Sequence, residues 1–497
     1  MNNKKATCPY VKKCGGCSLI NTPYEEQLEL KQNTIEKLLA PILSKDGGSV
    51  EPVIGASDPY YYRNKVHSAF ACVFERREDR NDSELPEKTR YENDPENIPD
   101  SRPGNKTHKN QRKKPRRKVI RGIYREGSHY VVDIKGCRLE DRTADSIIET
   151  IKKMLSDFRL TVYNEDTELG FLRHVLVRRG YRLVRSIRDG INENGSLHIT
   201  GGKPYDNDSI VTIADQAFAP EYMVVLVTGT TVFPGKNNFI KALRQRFPQI
   251  VTIVQNINDR HTSMVLGERN IVLYGKGYVI DESLGLSFRI HPDSFYQINS
   301  LQTRKLYGLA LNFAGLKGKE NVLDAYCGTG TIGMFMAPHA GFVTGVELNR
   351  SAVRDAIANA RTNNIKNIFF ENADATRYLL ELAEVSRRYT GKKSTKKDSS
   401  KDISYEGSED DETDDKETPH IDVLCMDPPR AGSTEEFIRA AAALSIPRIV
   451  YVSCEPTTLA RDLKVFQKLG YRVKKAVPVD MFPNTEAIET VCLIVRE

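Results

Sequence analysis

The chain has 497 residues, of which 39% are hydrophobic and 28% are charged, and this length predicts about two to four domains. It contains no apolar run of about 18 residues, and its first residues, Met1–Lys5, lack the apolar stretch of a signal peptide. We therefore expect a cytoplasmic protein without a membrane span. Lys and Arg outnumber Asp and Glu by 73 to 66, and a net charge of +7 is too small to identify a nucleic-acid partner by itself.

Residues 1–50 are predicted to form a cysteine-rich segment followed by a helix over 24–43. Three of the nine cysteines lie within ten residues, and without an export signal this spacing favours a metal site over disulfides. A later cysteine in a Gly-Cys-Arg-Leu segment offers a fourth thiolate. On ligand count alone, four thiolates suit zinc or an iron–sulfur cluster equally well. The four candidate metal ligands are Cys8, Cys14, Cys17 and Cys137.

Residues 51–290 are predicted to form a central α+β domain. Strand-like and helical patterns alternate along it, with helices expected over 145–155 and 237–247 and a hairpin over 172–186. The segment 77–118 is acidic at first and then strongly basic. Because it has almost no apolar residues to bury, we expect this insert to be disordered.

Residues 291–497 are predicted to form an α/β domain with a doubly wound, mostly parallel sheet. Strand and helix patterns alternate regularly there, and a glycine-rich turn follows the first of these strands. A second low-complexity insert, 386–419, mixes Lys and Ser with Asp and Glu. It is expected to be a disordered excursion on the surface.

The glycine-rich turn after the strand 321–325 is a candidate cofactor site. Gly328 and Gly330 permit a sharp turn and let backbone N–H groups approach a ligand. The second strand ends in Glu347, which is suited to bind both ribose hydroxyls, and Asp374 follows the third strand. Acids at these strand ends predict a pocket for S-adenosylmethionine (SAM). The alternative is an NAD site, whose third glycine is matched only loosely.

The fourth and fifth strands of the same sheet deliver Asp427 and Cys454 to one edge. The carboxyl ends of the strands in such a sheet open onto one crevice, so both side chains should face the cofactor. A thiol in that crevice is a candidate nucleophile, the alternative being a small buried hydrophobic residue. That alternative is preferred for four other cysteines, Cys72, Cys327, Cys425 and Cys492.

Several segments near Cys454 form a specific combination of motifs. They are Asp427–Gly432, Tyr451–Cys454, Thr458–Asp462, Asp480–Pro483 and Glu489–Val491. Together with Phe295–Asn299 and the leading cysteines, these segments resemble the RNA 5-methyluridine methyltransferases. The resemblance spans most of the chain outside the two inserts.

This resemblance implies the roles of the site residues. Cys454 would add to C6 of uracil, which makes C5 nucleophilic enough to attack the methyl group of SAM. Glu489, which matches the family's carboxylate, would then remove the C5 proton. Four positions match the family's cofactor contacts, and Asp374 is added from strand geometry. The matching positions are Gln297, Tyr326, Glu347 and Asp427.

Two places depart from the family's pattern. Glu455 stands where Asn is usual, and Glu486-Ala487 stands where Pro-His is usual. A carboxylate beside a cysteine tends to raise the pKa of the thiol, so we expect Glu455 to raise the pKa of Cys454. Contacts near the target base are also expected to differ from the family's.

The resemblance also bears on the metal and the substrate. In the family's branch that acts on ribosomal RNA, three close cysteines and one distant cysteine hold a [4Fe–4S] cluster, and the four candidate ligands match them. This favours an iron–sulfur cluster over zinc, and 23S ribosomal RNA over transfer RNA. The cluster would be structural or would contact RNA, because methyl transfer needs no electron.

Basic residues of the central domain are candidate RNA contacts. Many family members begin with a small RNA-binding β-barrel that we expect to be absent here, and the basic run Arg112–Lys118 could substitute by neutralising phosphates. Solvated surface charge is an equal alternative. The same two interpretations apply to Arg173, Arg178, Arg179, Arg182, Arg185 and Arg188.

Other functions compete with methylation of a ribosomal uridine. A uracil-C5 methyltransferase acting on transfer RNA is the nearest alternative. A cytosine-C5 methyltransferase usually carries its cysteine after Pro, whereas Cys454 follows Ser453. An iron–sulfur redox protein has only the cysteines in its favour, and an RNA-binding protein without activity would not need the catalytic set. We expect a monomer whose partner is RNA.

Overall fold

The computed structural model describes residues 8–75, 90–91, 116–125, 127–128, 130–183, 218–395 and 420–497. These residues build two large sheets and a separate two-stranded hairpin. None of their helices is both long enough and apolar enough to cross a membrane.

The amino-terminal segment contributes a short helix, a long helix and an edge strand. The helices are α1 (Val11–Cys14) and α2 (Tyr24–Leu43), and a 3-10 turn (Ser44–Asp46) leads to strand β1 (Ser49–Val50). The bounds of α2 confirm the helix predicted from the sequence. Its buried stripe repeats at the spacing of one helix face and includes Ile35 and Leu39.

The central sheet is mostly antiparallel and is covered on one face by two helices. The strand order is β5-β4-β2-β6-β7-β8-β9, with β3 paired to β2. Its elements are β2 (Lys65–Glu75), β3 (Arg90–Tyr91), β4 (Arg116–Tyr124), β5 (Val131–Asp133), α3 (Arg142–Asp157), β6 (Leu172–Leu183), β7 (Phe218–Thr228), α4 (Lys236–Arg246), β8 (Ile250–Ile257) and β9 (Arg269–Tyr274).

Both predicted helices of this domain are present, but the predicted hairpin is wrong. The chain forms one strand of 12 residues, β6, which pairs with β2 on one side and β7 on the other. The sequence offered no pairing partner for β6 close by, because β2 and β7 come from distant segments.

The two predicted inserts are described only in part. Arg90–Tyr91 forms β3 and residues 116–118 begin β4, so these parts of the first insert belong to the sheet. Both parts pair with the backbone of strand β2. The low apolar content of the insert could not predict this pairing. Residues 386–395 of the second insert are helical, and 396–419 lie outside the described residues.

The carboxyl-terminal sheet has the predicted doubly wound architecture. Its order is β1-β17-β18-β16-β15-β12-β13-β14, and β12 to β16 run parallel while β18 is antiparallel to both neighbours. A hairpin of β10 (Val279–Ser283) and β11 (Leu286–Ile290) precedes it. Its strands are β12 (Asn321–Ala325), β13 (Phe342–Glu347), β14 (Ile368–Asn372), β15 (Val423–Met426), β16 (Arg448–Ser453), β17 (Tyr471–Val479) and β18 (Glu489–Arg496).

Helices lie on both faces of this sheet, which is why its central strands are largely apolar. They are α5 (Ser300–Ala314), α6 (Thr331–Met336), α7 (Arg350–Thr362), α8 (Ala375–Thr395), α9 (Glu435–Ala443) and α10 (Pro456–Lys468), with a 3-10 turn at Ala337–His339. Helix α2 packs on the same face as α9 and α10, and β1 pairs with β17 at the sheet edge. The start of the chain is therefore part of the carboxyl-terminal sheet.

The two large sheets share a hydrophobic core. Met223 and Val225 of the central sheet pack in one cluster with Leu306 and Phe335 of the other domain. At the same junction the side chain of Asn64 donates to the backbone carbonyl of Gln297 at 2.9 Å. The junction thus fixes the segment that carries Gln297 against both domains.

Candidate active site

The glycine-rich turn after β12 has a backbone that requires glycine. Gly328 has φ +57° and Gly330 has φ +75°, and a Cβ on Gly330 would lie 2.6 Å from the ring of Phe370. The carboxylate of Glu347 accepts from the backbone N–H of Gly328 at 3.0 Å and of Asn349 at 2.7 Å. Glu347 is therefore held at the floor of the turn, at the end of the second strand.

Tyr326 and Asp374 lie at the same edge. The hydroxyl of Tyr326 is 3.5 Å from that of Ser433, and burial raises the pKa of Tyr326, as does the nearby charge of Asp374. Asp374 also accepts from the backbone N–H of Arg377 at 2.9 Å, so it caps the first turn of α8. The predicted residues from three strand ends thus meet, although Asp374 already has a local structural role.

A buried acid that the sequence analysis did not select lies behind the turn. Asp324 is fully buried, its Oδ2 accepts from the backbone N–H of Gly333 at 2.8 Å, and its Oδ1 has no hydrogen-bond partner among the described residues. Burial, and then the charges of Asp427 and Glu347, raise the pKa of Asp324 to about 7. The signal was present in the sequence as one acid inside an otherwise apolar strand.

This group of acids fits a cationic cofactor. Three carboxylates converge around the turn, and a buried carboxylate without a partner is costly unless a cation compensates it. SAM carries a sulfonium and an ammonium group, so its charge complements Asp324, Glu347 and Asp427. The acids at the strand ends are what a SAM pocket requires, and the buried Asp324 adds negative charge behind the turn.

Tyr307 of α5 links this pocket to the catalytic side chains. It is buried and hydrogen-bonds to the side chain of Gln297, which is itself 9% exposed. Burial raises the pKa of Tyr307, and the charges of Asp427 and Glu489 raise it further. Tyr307 lies among the buried residues of α5, and no motif in the sequence marked it as part of the site.

Strand pairing brings Cys454 and Glu489 together. The antiparallel register of β16 and β18 ends with Ser453 opposite Thr490, so the next step along both strands places Cys454 opposite Glu489. Side chains directly opposite each other in such a pair are neighbours. The thiol is half-buried and the carboxylate is buried.

Burial and nearby charges together set the pKa of the Cys454 thiol. Burial raises the pKa of the Cys454 thiol to about 11, with Glu489 and Asp427 adding to the effect and Arg430 opposing it. Burial, and then Asp427, raise the pKa of Glu489 to about 8. Burial also raises the pKa of Asp427 to about 7. Cys454 therefore shares one site with two carboxylates, Glu489 and Asp427, and with the cation Arg430.

The expected influence of Glu455 on Cys454 is corrected by the structure. The carboxylate of Glu455 accepts from the hydroxyl of Thr457 at 2.7 Å and from its backbone N–H at 3.4 Å, which caps helix α10. The carboxylates that raise the pKa of the thiol are Glu489 and Asp427. The departure from Asn at this position thus preserves a capping acceptor.

The loop 427–433 is held by a buried carboxylate on α10. Asp462 is 1% exposed and accepts from the hydroxyl of Tyr451 at 2.7 Å and from the backbone N–H of Ser433 at 2.8 Å. Arg461 donates to Asp462 at 2.8 Å and to the carbonyls of Ala431 at 2.9 Å and Ser433 at 3.0 Å. These contacts fix the loop that presents Asp427 and Arg430.

The four candidate metal ligands lie in neighbouring segments. The hydroxyl of Tyr10 accepts from the backbone N–H of Lys135 at 3.1 Å, and the backbone N–H groups of Tyr61 and Arg63 donate to the turn after Cys137. Cys8, Cys14 and Cys17 are close enough to interact electrostatically, and the charge of Arg63 interacts with both Cys17 and Cys137. Within the described ranges, no three or more His, Cys, Asp or Glu side chains are grouped to hold one metal ion.

The predicted basic face of the central domain is wrong for the arginines that the structure describes. Arg173 and Arg178 are 3% exposed; the first is paired with Glu165 at 2.7 Å and the second donates to the carbonyl of Ser294 at 2.5 Å. Arg179 is paired with Asp141 at 2.5 Å, and Arg182 lies 3.4 Å from the carboxylate of Glu282. Arg173, Arg178 and Arg179 thus satisfy acceptors within the protein, whereas Arg182 stays partly exposed beside Glu282. The remaining two, Arg185 and Arg188, lie outside the described residues.

Comparisons with known proteins agree with this site. Residues 279–497 match the family model described as tRNA (uracil-5-)-methyltransferase. An uncharacterised RNA methyltransferase of Staphylococcus aureus is 32% identical over 492 residues, which is 99% of this chain and 84% of the relative. A second, from Clostridium tetani, is 34% identical over 493 residues, covering 99% and 83%.

A solved structure shares the fold along nearly the whole chain. The Pyrococcus abyssi tRNA (uracil-54, C5)-methyltransferase, in complex with S-adenosyl-L-homocysteine, matches with a TM-score of 0.61 and 23% identity, over 97% of this chain and 86% of that one. The relatives cover the chain from end to end, and the motifs at Cys454 and Glu489 lie in the matched family region. The chain belongs to the family of SAM-dependent RNA uracil-5 methyltransferases.

Proposed function

We propose that the enzyme methylates C5 of a uridine in 23S ribosomal RNA, with Cys454 as nucleophile and Glu489 as base. The observation that supports the proposal is the register of β16 and β18, which ends at the pair Ser453–Thr490, directly beside Cys454 and Glu489, together with the effect of the Glu489 charge on the thiol. They lie at the carboxyl edge of the parallel strands, beside the acids around the glycine-rich turn.

The residues support the following sequence of bond changes. The thiol of Cys454 gives its proton to solvent, which the charge of Arg430 favours, and the thiolate adds to C6 of uracil. This addition makes C5 an enolate carbon, and SAM, when bound, would supply the methyl group that C5 takes up, its sulfur–methyl bond breaking to leave S-adenosylhomocysteine. Glu489 then accepts the C5 proton, the C5–C6 double bond re-forms, and the thiolate leaves from C6. The target base must first be extruded from its stack into the site.

The cofactor side of the proposal assigns residues to the SAM pocket. Gln297, Tyr326, Glu347, Asp374 and Asp427 are the contacts expected from the sequence. To these we add Asp324, whose buried carboxylate lies behind the glycine-rich turn and would favour a cationic group of the cofactor through its charge. Glu347 is placed to accept hydrogen bonds from ribose hydroxyls at the end of the second strand.

The preference for ribosomal RNA rests on the cysteine pattern. Transfer RNA is the second candidate, since the matching family model and the Pyrococcus neighbour are both described as acting on it. Labelled SAM should be incubated with unmodified ribosomal RNA and, separately, with transfer RNA, followed by nucleoside mass spectrometry and mapping. Label in 5-methyluridine of 23S ribosomal RNA is expected. Label confined to transfer RNA would refute the substrate assignment and keep the chemistry.

We further propose that Cys8, Cys14, Cys17 and Cys137 hold a [4Fe–4S] cluster. Thiolates are the ligands of such clusters, and the hydrogen bonds of Tyr10 and Arg63 keep the two cysteine segments adjacent. The cluster would have a structural role. Anaerobically purified protein should contain about four iron and four inorganic sulfide ions per chain if all sites are filled. Stoichiometric zinc without sulfide would replace the cluster with the zinc alternative.

We also propose that the enzyme is a monomer and that it acts in the cytoplasm. Light scattering at several concentrations should give the mass of one chain, which is 56.1 kDa, and a concentration-dependent dimer would contradict it.

A further inference from the structure

Helix α2 carries two polar side chains in the middle of its buried stripe. Gln27 is 1% exposed and Lys31 is 2% exposed, and they continue the one-face spacing of Ile35 and Leu39. Burying an ammonium group costs free energy unless a partner compensates it. A helix that needed only to pack on the sheet would carry apolar residues at both positions.

Both side chains are bound to the loop 480–488. Lys31 Nζ lies 2.6 Å from Asp480 Oδ1 and 3.2 Å from the carbonyl of Phe482. Gln27 makes a reciprocal pair with Asn484: its Oε1 accepts from the backbone N–H at 2.8 Å, and its Nε2 donates to Asn484 Oδ1 at 3.2 Å. The anchors therefore hold the beginning and the middle of the loop.

The loop ends at the proposed base. It connects β17 and β18, whose register pairs Val479 directly with Glu489, the first residue of β18. On its other side, β18 pairs with β16 only from Thr490 onward. Glu489 thus stands where the connecting loop 480–488 enters β18, and the backbone of this loop is fixed mainly by side chains from outside the hairpin.

The amino-terminal cysteine segment joins the same anchor. The backbone N–H of Leu19 donates to the carbonyl of Asn484 at 3.1 Å, and Gln27 Nε2 also donates to the carbonyl of Leu19 at 3.0 Å. Leu19 is two residues from Cys17. The start of the chain and the loop before the base therefore form one hydrogen-bonded unit.

We propose that Gln27 and Lys31 are positioning residues for Glu489, acting through the loop 480–488. This proposal rests on the proposed role of Glu489. The strand pairing that sets Cys454 in place does not involve α2, so loss of the anchors should slow removal of the C5 proton and leave addition of Cys454 unchanged.

The test separates these two steps with two RNA substrates. RNA containing 5-fluorouridine forms a covalent adduct through Cys454 and accepts the methyl group, but it has no C5 proton for a base to remove. RNA containing uridine requires every step. The variants are Gln27→Leu and Lys31→Met, and the matched control is Lys37→Met, which removes an exposed lysine from the same helix.

For both anchor variants, the rate of adduct formation on 5-fluorouridine RNA should stay within about twofold of wild type. Turnover on uridine RNA should fall about tenfold or more, part of the 10²–10⁴-fold that a general base contributes. The adduct with uridine RNA should accumulate in both variants and not in the control.

Equal losses on both substrates, or no loss on either, would overturn the proposal. Because Lys31→Met leaves a buried carboxylate unpaired, the double variant Lys31→Met/Asp480→Asn and the uncharged Gln27→Leu keep the test decisive if the single variant fails to fold. If wild-type enzyme forms no adduct on either RNA, the role of Cys454 itself fails. If instead the wild-type enzyme reacts normally and the anchor variants behave like it, only the positioning role of Gln27 and Lys31 fails.

Discussion

The carboxylate of Asp462 should stabilise the fold and the catalytic loop together. In Asp462→Ala, the hydroxyl of Tyr451 and the backbone N–H of Ser433 lose their acceptor, at 2.7 and 2.8 Å in the wild type. Both residues are buried, so each stranded donor should cost about 1–3 kcal/mol, or about 2–6 kcal/mol in total. Arg461 is half-exposed and can turn to water, so it should add little.

Urea unfolding monitored by tyrosine fluorescence and circular dichroism should show this loss of unfolding free energy. Methyl transfer at saturating SAM should also fall, because Asp427 and Arg430 lie on the loop that Asp462 holds. The matched control is Glu435→Ala, which removes an exposed carboxylate bound to Arg439 and should cost no more than about 1 kcal/mol. A change as small as the control's, with normal turnover, would refute the assignment of Asp462 as the anchor of this loop.

Four further predictions concern the site itself. Cys454→Ala should abolish both methylation and the covalent RNA adduct on denaturing gels, and an active variant would end the nucleophile assignment. Glu489→Gln should accumulate the adduct on uridine RNA, so rapid turnover by this variant would exclude Glu489 as the base. The pKa of Glu489 is raised from 4.5 to about 8, so between these pH values the folded state keeps a proton that the unfolded chain loses. The free energy of unfolding of the ligand-free enzyme should therefore fall from pH 4.5 to 8, by up to about 1.4 kcal/mol per pH unit. Glu489→Gln should flatten this slope when unfolding is measured at several pH values. Asp324→Asn should weaken SAM binding by about 1.5–3 kcal/mol in calorimetry, and wild-type affinity would remove Asp324 from the pocket.

The parallel sheet and its edge were predictable because local signals mark them. Buried strands are apolar, the turn after β12 needs glycine, and acids follow the strand ends, so the meeting of Glu347, Asp427 and Cys454 follows from topology alone. The family motifs added Glu489, whose place opposite Cys454 is set by an antiparallel strand at the end of the chain.

Other parts of the site could not be predicted because their partners are distant in sequence. Asp324 and Tyr307 are buried inside a strand and a helix, and only three-dimensional packing shows that Asp324 lies behind the glycine-rich turn and that Tyr307 contacts Gln297. The arginines of β6 fall on both faces of the strand, and Arg173 and Arg178 are paired with acceptors from segments that precede and follow β6. Charge patterning alone does not distinguish a cation that binds phosphate from one that satisfies buried carbonyls.

The contact between helix α2 and the loop that joins β17 to β18 sets the order in which the chain can complete its fold. Lys31 and Asp480 are 449 residues apart, and ribosomes add about 5–20 residues per second, so α2 emerges roughly 20 to 90 s before its partner exists. The central sheet, contained within residues 65–274, has all its strands long before then. During that interval the apolar stripe of α2 and its buried lysine remain uncovered on the nascent chain. Premature termination before Asp480 therefore exposes the beginning of the protein as well as removing its end.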